Sequence, residues 1–149
     1  AAKGREKAAA FRAAGTIDRA LAAALDDLLA EGATLEKSGR VALVHGDLYA
    51  RHLLVDGAAP AGVIDWGDVH VNDPAIDLSL GYLFFPPKAR EAFFEAYGGA
   101  DEATLRIARF RAACHSLAVL PYALSTADAA LERETRAALG WIAGSGRKQ

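Results

Sequence analysis

The sequence predicts a mostly helical α+β domain. Three observations carry that reading. Apolar residues recur at helical spacing on both flanks of the chain, short strand-like runs are confined to residues 41–65, and Gly or Pro marks most junctions. The first fifteen residues, AAKGREKAAAFRAAG, are Ala-rich and basic and read as a helix or a mobile arm, broken at Gly15. With Thr16 as N-cap, Ile17, Leu21, Leu25, Leu28 and Leu29 predict a helix over 16–31 that Gly32 terminates. Val41-Ala42-Leu43-Val44 reads as a buried strand. Leu53-Leu54-Val55 predicts a second strand, turned by Asp56-Gly57, and Gly62-Val63-Ile64 a third. Asn72-Asp73-Pro74 begins a helix, with Asp73 as cap and Pro74 at the first helical position, which runs to Pro86-Pro87. Another spans 88–97 and stops at Gly98-Gly99. The remainder reads as a helix over 101–125 kinked at Pro121, a last helix over 127–142 and a polar GSGRKQ tail. Residues 74–143 are thus expected to form a helical subdomain of one domain spanning 1–149.

Composition narrows the function. A chain of 149 residues is long enough to bury roughly two-thirds of its unfolded surface without disulfides or structural metal. Its net charge of −2 argues against a dedicated nucleic-acid binder, which shows a basic face. One Cys excludes an internal disulfide framework and a Cys-based zinc site, and suits a reducing, cytoplasmic compartment. No apolar run reaches the ~18 residues of a membrane span, so no membrane partner is expected. Met is absent even at position 1, which suggests a chain trimmed or cut from something longer.

Chemistry concentrates between residues 45 and 77. That stretch holds six aspartates, no glutamate, no lysine, a single arginine (Arg51) and three of the four histidines, His45, His52 and His70. Short Asp side chains at strand ends serve turns, caps or metal ligation. Asp56 fits a turn and Asp73 a cap; Asp47, Asp65, Asp68 and Asp77 need another account. His45-Gly46-Asp47-Leu48-Tyr49-Ala50-Arg51-His52 has the spacing of the kinase loop H-R-D-L-x-x-x-N, with His in place of Asn. Ile64-Asp65-Trp66-Gly67 follows where kinases place D-F-G. A strand-turn-strand hairpin would bring position 52 and Asp65 to neighbouring strand ends, within reach of one divalent ion, with Asp47 on the loop facing a hydroxyl.

Together, HGDLYARHLLVD and GVIDWGDVHVNDPAIDLS resemble the aminoglycoside phosphotransferase / choline kinase-like superfamily of bacterial small-molecule kinases. The resemblance implies the carboxyl-terminal lobe of a protein-kinase-like fold, in which a short β-hairpin carries the catalytic and metal loops. It implies Asp47 as catalytic base and His52 and Asp65 as ligands of Mg2+. His45 and Asp77 would support the loop, while Asp68, His70, Arg51 and Tyr49 would be candidates for contact with substrate or with the ion's surroundings. ATP or GTP would be the co-substrate and a small-molecule hydroxyl the acceptor. Tyr49 and His52 are similar to the pattern of macrolide phosphotransferases. An imidazole ligand tolerates Mn2+ as well as Mg2+, and acid should weaken metal binding.

One departure is larger than His52. Kinases of this architecture need an amino-terminal lobe with a phosphate-covering loop and a strand lysine. The lysines, at 3, 7, 37, 88 and 148, lie in no strand-like run, and no G-x-x-x-x-G-K-[S/T] loop occurs. The chain therefore reads as a lobe that lacks its nucleotide-covering partner and is inactive in isolation. The alternative is a non-catalytic lobe serving as a binding or regulatory module; a metal-dependent phosphohydrolase would need a paired-metal ligand set. Elsewhere the expectations are structural. Cys114 and His115 read as core groups, Trp66 as packed under the loop, Trp141 as an anchor of the last helix, and Leu105, Phe110, Leu117, Leu120 and Leu124 as core. Arg51 also fits a salt bridge that relieves repulsion. The mixed charge of the last segment argues against a polycationic aminoglycoside and toward a macrolide-like or other hydroxylated acceptor.

Overall fold

The computed structural model describes residues 2–144. The chain is mostly helical with two small sheets, and the tail beyond Gly144 lies outside the described residues. Helix α1 (Ala2–Ala13) buries Ala8, and Gly15 turns the chain at a φ of 68°. Helix α2 (Arg19–Gly32) starts two residues later than the capping pattern predicts. Asp18, not Thr16, accepts from the Leu21 amide at 2.7 Å, because a carboxylate three residues before a free N–H satisfies it directly. Leu25, Leu28 and Leu29 face inward as the periodicity requires.

Gly32 is the last residue of that helix but not its cap, which is Ala33 in a right-handed conformation. Its role is proximity. A Cβ at this position would stand 1.9 Å from the Phe110 ring, so only glycine lets the later helix pack here.

Strand β1 (Ala42–Val44) pairs with β4 (His70–Asn72), antiparallel, with Leu43 opposite Val71. The sequence reading missed β4, since His-Val-Asn carries no alternation. β1 was expected to be buried, but Leu43 is exposed and Val44 alone turns inward. Strands β2 (Leu53–Asp56) and β3 (Ala59–Val63) form a hairpin around Gly57, with a bulge between Leu54 and Val55. β3 begins earlier than expected and includes Pro60, which a two-stranded edge tolerates. The hairpin closes where it matters for chemistry: the Ile64 amide donates to the His52 carbonyl at 3.0 Å.

The single helix expected after Pro74 is two short ones, α3 (Ala75–Leu78) and α4 (Leu80–Phe84). They break at Ser79, whose hydroxyl donates to the Ile76 carbonyl. Asp73 has a wider role than capping. It accepts from the Ala75 amide through one oxygen and from the Ser38 amide and hydroxyl through the other, tying the 33–41 loop to α3.

Helix α5 (Pro87–Ala96) starts on Pro87 and ends at Gly98-Gly99, both at positive φ. Helix α6 (Glu102–Ser125) is capped by Asp101 and contains Pro121, and α7 (Ala129–Gly144) begins where Asp128 accepts from the Leu131 amide.

α6 is the central helix and packs against α1, α2, α3, α4 and α7. Its Ala108, Ala112 and Ala113 are small enough to admit those neighbours, and Leu117 and Leu120 fill the core with Leu78, Leu139 and Ile142. Each such leucine contributes up to roughly 1.5–3 kcal/mol on burial. The buried face of α6 continues to Ala123, but Leu124 beside it is exposed, and Leu105 and Trp141 are half-buried, not core as expected. Among the described residues, no helix is long and apolar enough to cross a membrane.

Candidate functional site

The loop between β1 and β2 carries residues 45–52, and α3 holds it from below. The Asp77 carboxylate accepts from two successive loop amides, His45 at 2.6 Å and Gly46 at 3.1 Å. Such paired amide bonds to one carboxylate fix the backbone direction before any side chain is considered. Gly46 adopts a φ of 91°, and a Cβ there would meet the Asp68 carbonyl oxygen at 2.4 Å. Gly46→Ala should therefore destabilise the fold by about 2 kcal/mol or more, read from the denaturant midpoint.

His45 is buried, and its Nε2 donates to the Ile64 carbonyl at 2.9 Å, bridging the loop to the end of the hairpin. Its Nδ1 has no hydrogen-bond partner among the described residues. Trp66 packs one face against the His45 ring, 4.8 Å between centroids, and its Nε1 donates to the Val63 carbonyl. It is 54% exposed, so it does not sit under the loop as the sequence suggests. Asp65, immediately before it, is left-handed at a φ of 64°. That conformation is uncommon outside glycine, and Asp and Asn are among the residues that tolerate it.

His52 is 7% exposed and closely constrained. Its Nδ1 donates to the Asp47 carbonyl at 2.7 Å, the Tyr49 ring lies 4.2 Å away, and His45 stacks at 5.7 Å. A ring that donates through Nδ1 presents Nε2 to the far side, and there the Asp65 Oδ2 lies 3.4 Å away. In the tautomer that donates through Nδ1, Nε2 carries a lone pair, so two potential donor atoms face one another across this gap. The backbone carbonyl on the opposite nitrogen is the usual partner that orients a metal-ligating histidine. Among the described residues, no group of three or more His, Cys, Asp or Glu could hold a metal ion.

The other sequence-identified residues are placed differently. Asp47 is exposed at the mouth of a cleft. Tyr49 packs between His52 and, at 6.0 Å, His115. Arg51 pairs at 2.9 Å with Asp128 at the start of α7, outside the Asp cluster it was expected to neutralise. This half-exposed pair contributes about 0–1 kcal/mol. Asp68 and His70 are exposed; the His70 Nδ1 donates to the Asp68 carbonyl, and its Nε2 accepts from Asn72. They stabilise the turn between the hairpin and β4.

The cleft beside Asp47, about 370 Å³, contains what the sequence reading missed. Its far wall is α6, which contributes Phe110, Arg111, Cys114 and His115, and its floor includes Ile76, Ser79 and Leu83. Cys114 packs against the core as expected but is only half-buried, and with the half-buried His115 it also lines this wall. A mid-helix Cys-His pair gives no signal of this without the packing of α6 against the loop. Burial pushes the Cys114 thiol upward, with the Arg111 guanidinium opposing.

Burial pushes the His115 imidazole below its ordinary value of 6.5, with the Asp47 carboxylate opposing. The unfolded chain therefore takes up this proton more readily than the folded one. The resulting stability is lost as pH falls through the ordinary value toward the lower folded one. Between about pH 8 and pH 5, the melting temperature of His115→Gln should fall less than that of the wild type.

Comparison with known proteins adds the family. The model described as the phosphotransferase enzyme family matches residues 1–111, about three-quarters of the chain. A protein of Bacillus subtilis (strain 168), "Uncharacterized protein YcbJ", is 36% identical over 63 residues. That match covers 42% of this chain and 21% of the B. subtilis protein, so the shared segment spans about a fifth of that relative's length.

Proposed function

The chain belongs to the phosphotransferase enzyme family, and on that premise we propose that it is the catalytic lobe of a kinase that phosphorylates a hydroxyl of a small molecule. The observation that carries this reading is the convergence of His52 Nε2 and Asp65 Oδ2 at 3.4 Å, with the His52 ring held by the Asp47 carbonyl. His52 and Asp65 would hold Mg2+ or Mn2+ with the phosphates of ATP or GTP. The bound ion would neutralise phosphate charge.

Asp47 orients the acceptor hydroxyl and takes its proton. The hydroxyl oxygen forms a bond to the γ-phosphorus, the bond from that phosphorus to the bridging oxygen breaks, and the nucleoside diphosphate leaves with the electron pair. Little covalent chemistry falls to the protein, so positioning dominates. Asp77 supplies it by fixing the loop amides, and Tyr49 and His45 keep the His52 ring from turning. A cleft of about 370 Å³ is near the small end of the ~300–1,000 Å³ range of ligand pockets and suits a compact acceptor.

The test is transfer of labelled γ-phosphate by the full-length protein to a panel of hydroxylated compounds, with Mg2+ and with Mn2+. Transfer that requires the metal supports the reading. Metal–nucleotide binding without transfer to any acceptor would make the lobe a non-catalytic binding module.

A further inference from the structure

Most arginines of this fold have partners. Arg5, Arg40, Arg51, Arg106 and Arg136 pair with carboxylates, and Arg109 donates to the Ile142 carbonyl. Arg111 makes no hydrogen bond or ion pair among the described residues, yet it stands on the wall of the cleft whose mouth carries Asp47. That cleft contains one carboxylate, Asp47, against one guanidinium and one imidazole. The adjoining cleft shares Arg111 and adds Glu36 and Lys37, whose charges cancel, and Asp73, whose oxygens already accept from Ser38 and Ala75. A polycationic acceptor would find a single carboxylate here, needed for the hydroxyl, and a positive charge opposite it. An acceptor with an anionic group would find a guanidinium with its donors free.

We propose that the acceptor is a small hydroxylated compound bearing a carboxylate or phosphate, which Arg111 binds while the hydroxyl lies against Asp47. This rests on the phosphotransferase reading and specifies its substrate. His115, one helical turn from Arg111 and on the same wall, offers a hydrogen bond to the body of the acceptor. A guanidinium fork on a carboxylate or phosphate sets orientation as well as affinity, so it selects which hydroxyl faces the base.

The chain's one cysteine reports occupancy without any need for catalysis, because Cys114 shares the wall. The full-length protein is treated with N-ethylmaleimide at about pH 8, over hours because burial raises the thiol and slows its reaction, and modification of Cys114 is followed by mass spectrometry. The probes are gluconate, glycerate and glycerol 3-phosphate, with glucitol and glycerol as neutral counterparts and kanamycin as a polycation. At least one anionic probe should protect Cys114, its neutral counterpart should do so about tenfold less well, and kanamycin should not protect.

Arg111→Gln should weaken that protection by about tenfold or more, and Arg111→Lys should restore part of it. The side chain is exposed, so an unchanged melting temperature separates lost binding from lost fold. Protection by no anionic probe at millimolar concentration, protection by kanamycin or neutral probes alone, or protection indifferent to Arg111→Gln would overturn the proposal. Arg111-dependent protection with no phosphoryl transfer to the protecting compound would overturn the kinase reading and leave the anion site standing.

Discussion

Asp47→Asn should reduce phosphoryl transfer by about 10²–10⁴-fold while leaving metal–nucleotide affinity nearly unchanged. The amide has the size of the carboxylate but cannot take a proton from the acceptor. Asp47 is exposed, and it is its backbone carbonyl, not its side chain, that orients His52. The variant should therefore keep its fold and its His52–Asp65 pair. Single-turnover transfer and nucleotide titration, measured on the same full-length preparation, separate the two effects. Full transfer by the variant would show that Asp47 is not the base; nucleotide binding lost together with transfer would show that its side chain serves the metal instead.

Asp65→Asn should cost transfer about as much, some 10²–10³-fold, but through the opposite observable. The carboxylate faces His52 Nε2 and does not line the cleft beside Asp47, so on the proposed reading its loss should weaken divalent-ion and nucleotide binding. Asn is the informative replacement because Asp65 is left-handed, a conformation Asn adopts readily and Ala does not. With the backbone retained and a side chain 66% exposed, the melting temperature should hold. Mn2+ titration by electron paramagnetic resonance, with and without nucleotide, reads the difference. An affinity for the metal–nucleotide complex equal to the wild type would remove Asp65 from the metal site. The two variants together test the division of labour: one aspartate serves the hydroxyl, the other the phosphates.

Much of the fold was legible because local chemistry and tertiary packing agree. The start of α6 at Asp101, the Pro86-Pro87 boundary, the Gly98-Gly99 stop and the Asp56-Gly57 turn all rest on signals within a few residues, and each lies where its chemistry requires. The misses share a different cause. Gly32 looks like a helix terminator, but the Phe110 ring, 78 residues on, is what demands it. β4 has no pattern of its own and is a strand because β1 lies beside it. Leu124 faces solvent although Ala123 beside it is fully buried, because the neighbours of α6 cover only one side of the helix there.

The candidate site divides along the same line. The sequence alone determined which groups are available: the loop from His45 to His52, Asp65 at the end of a hairpin whose ends must meet, Asp77 in a helix that follows, and membership of a phosphotransferase family over most of the chain. These are short-range facts of order and spacing. Only the tertiary structure decided their orientation and their company. It turned His52 so that Nε2 faces Asp65, committed Arg51 to Asp128, and packed α6 so that Arg111, Cys114 and His115 form a wall beside Asp47. A helix presents several faces and its periodicity identifies only the buried one. Which loop the half-buried edge meets depends on every other element that packs around it.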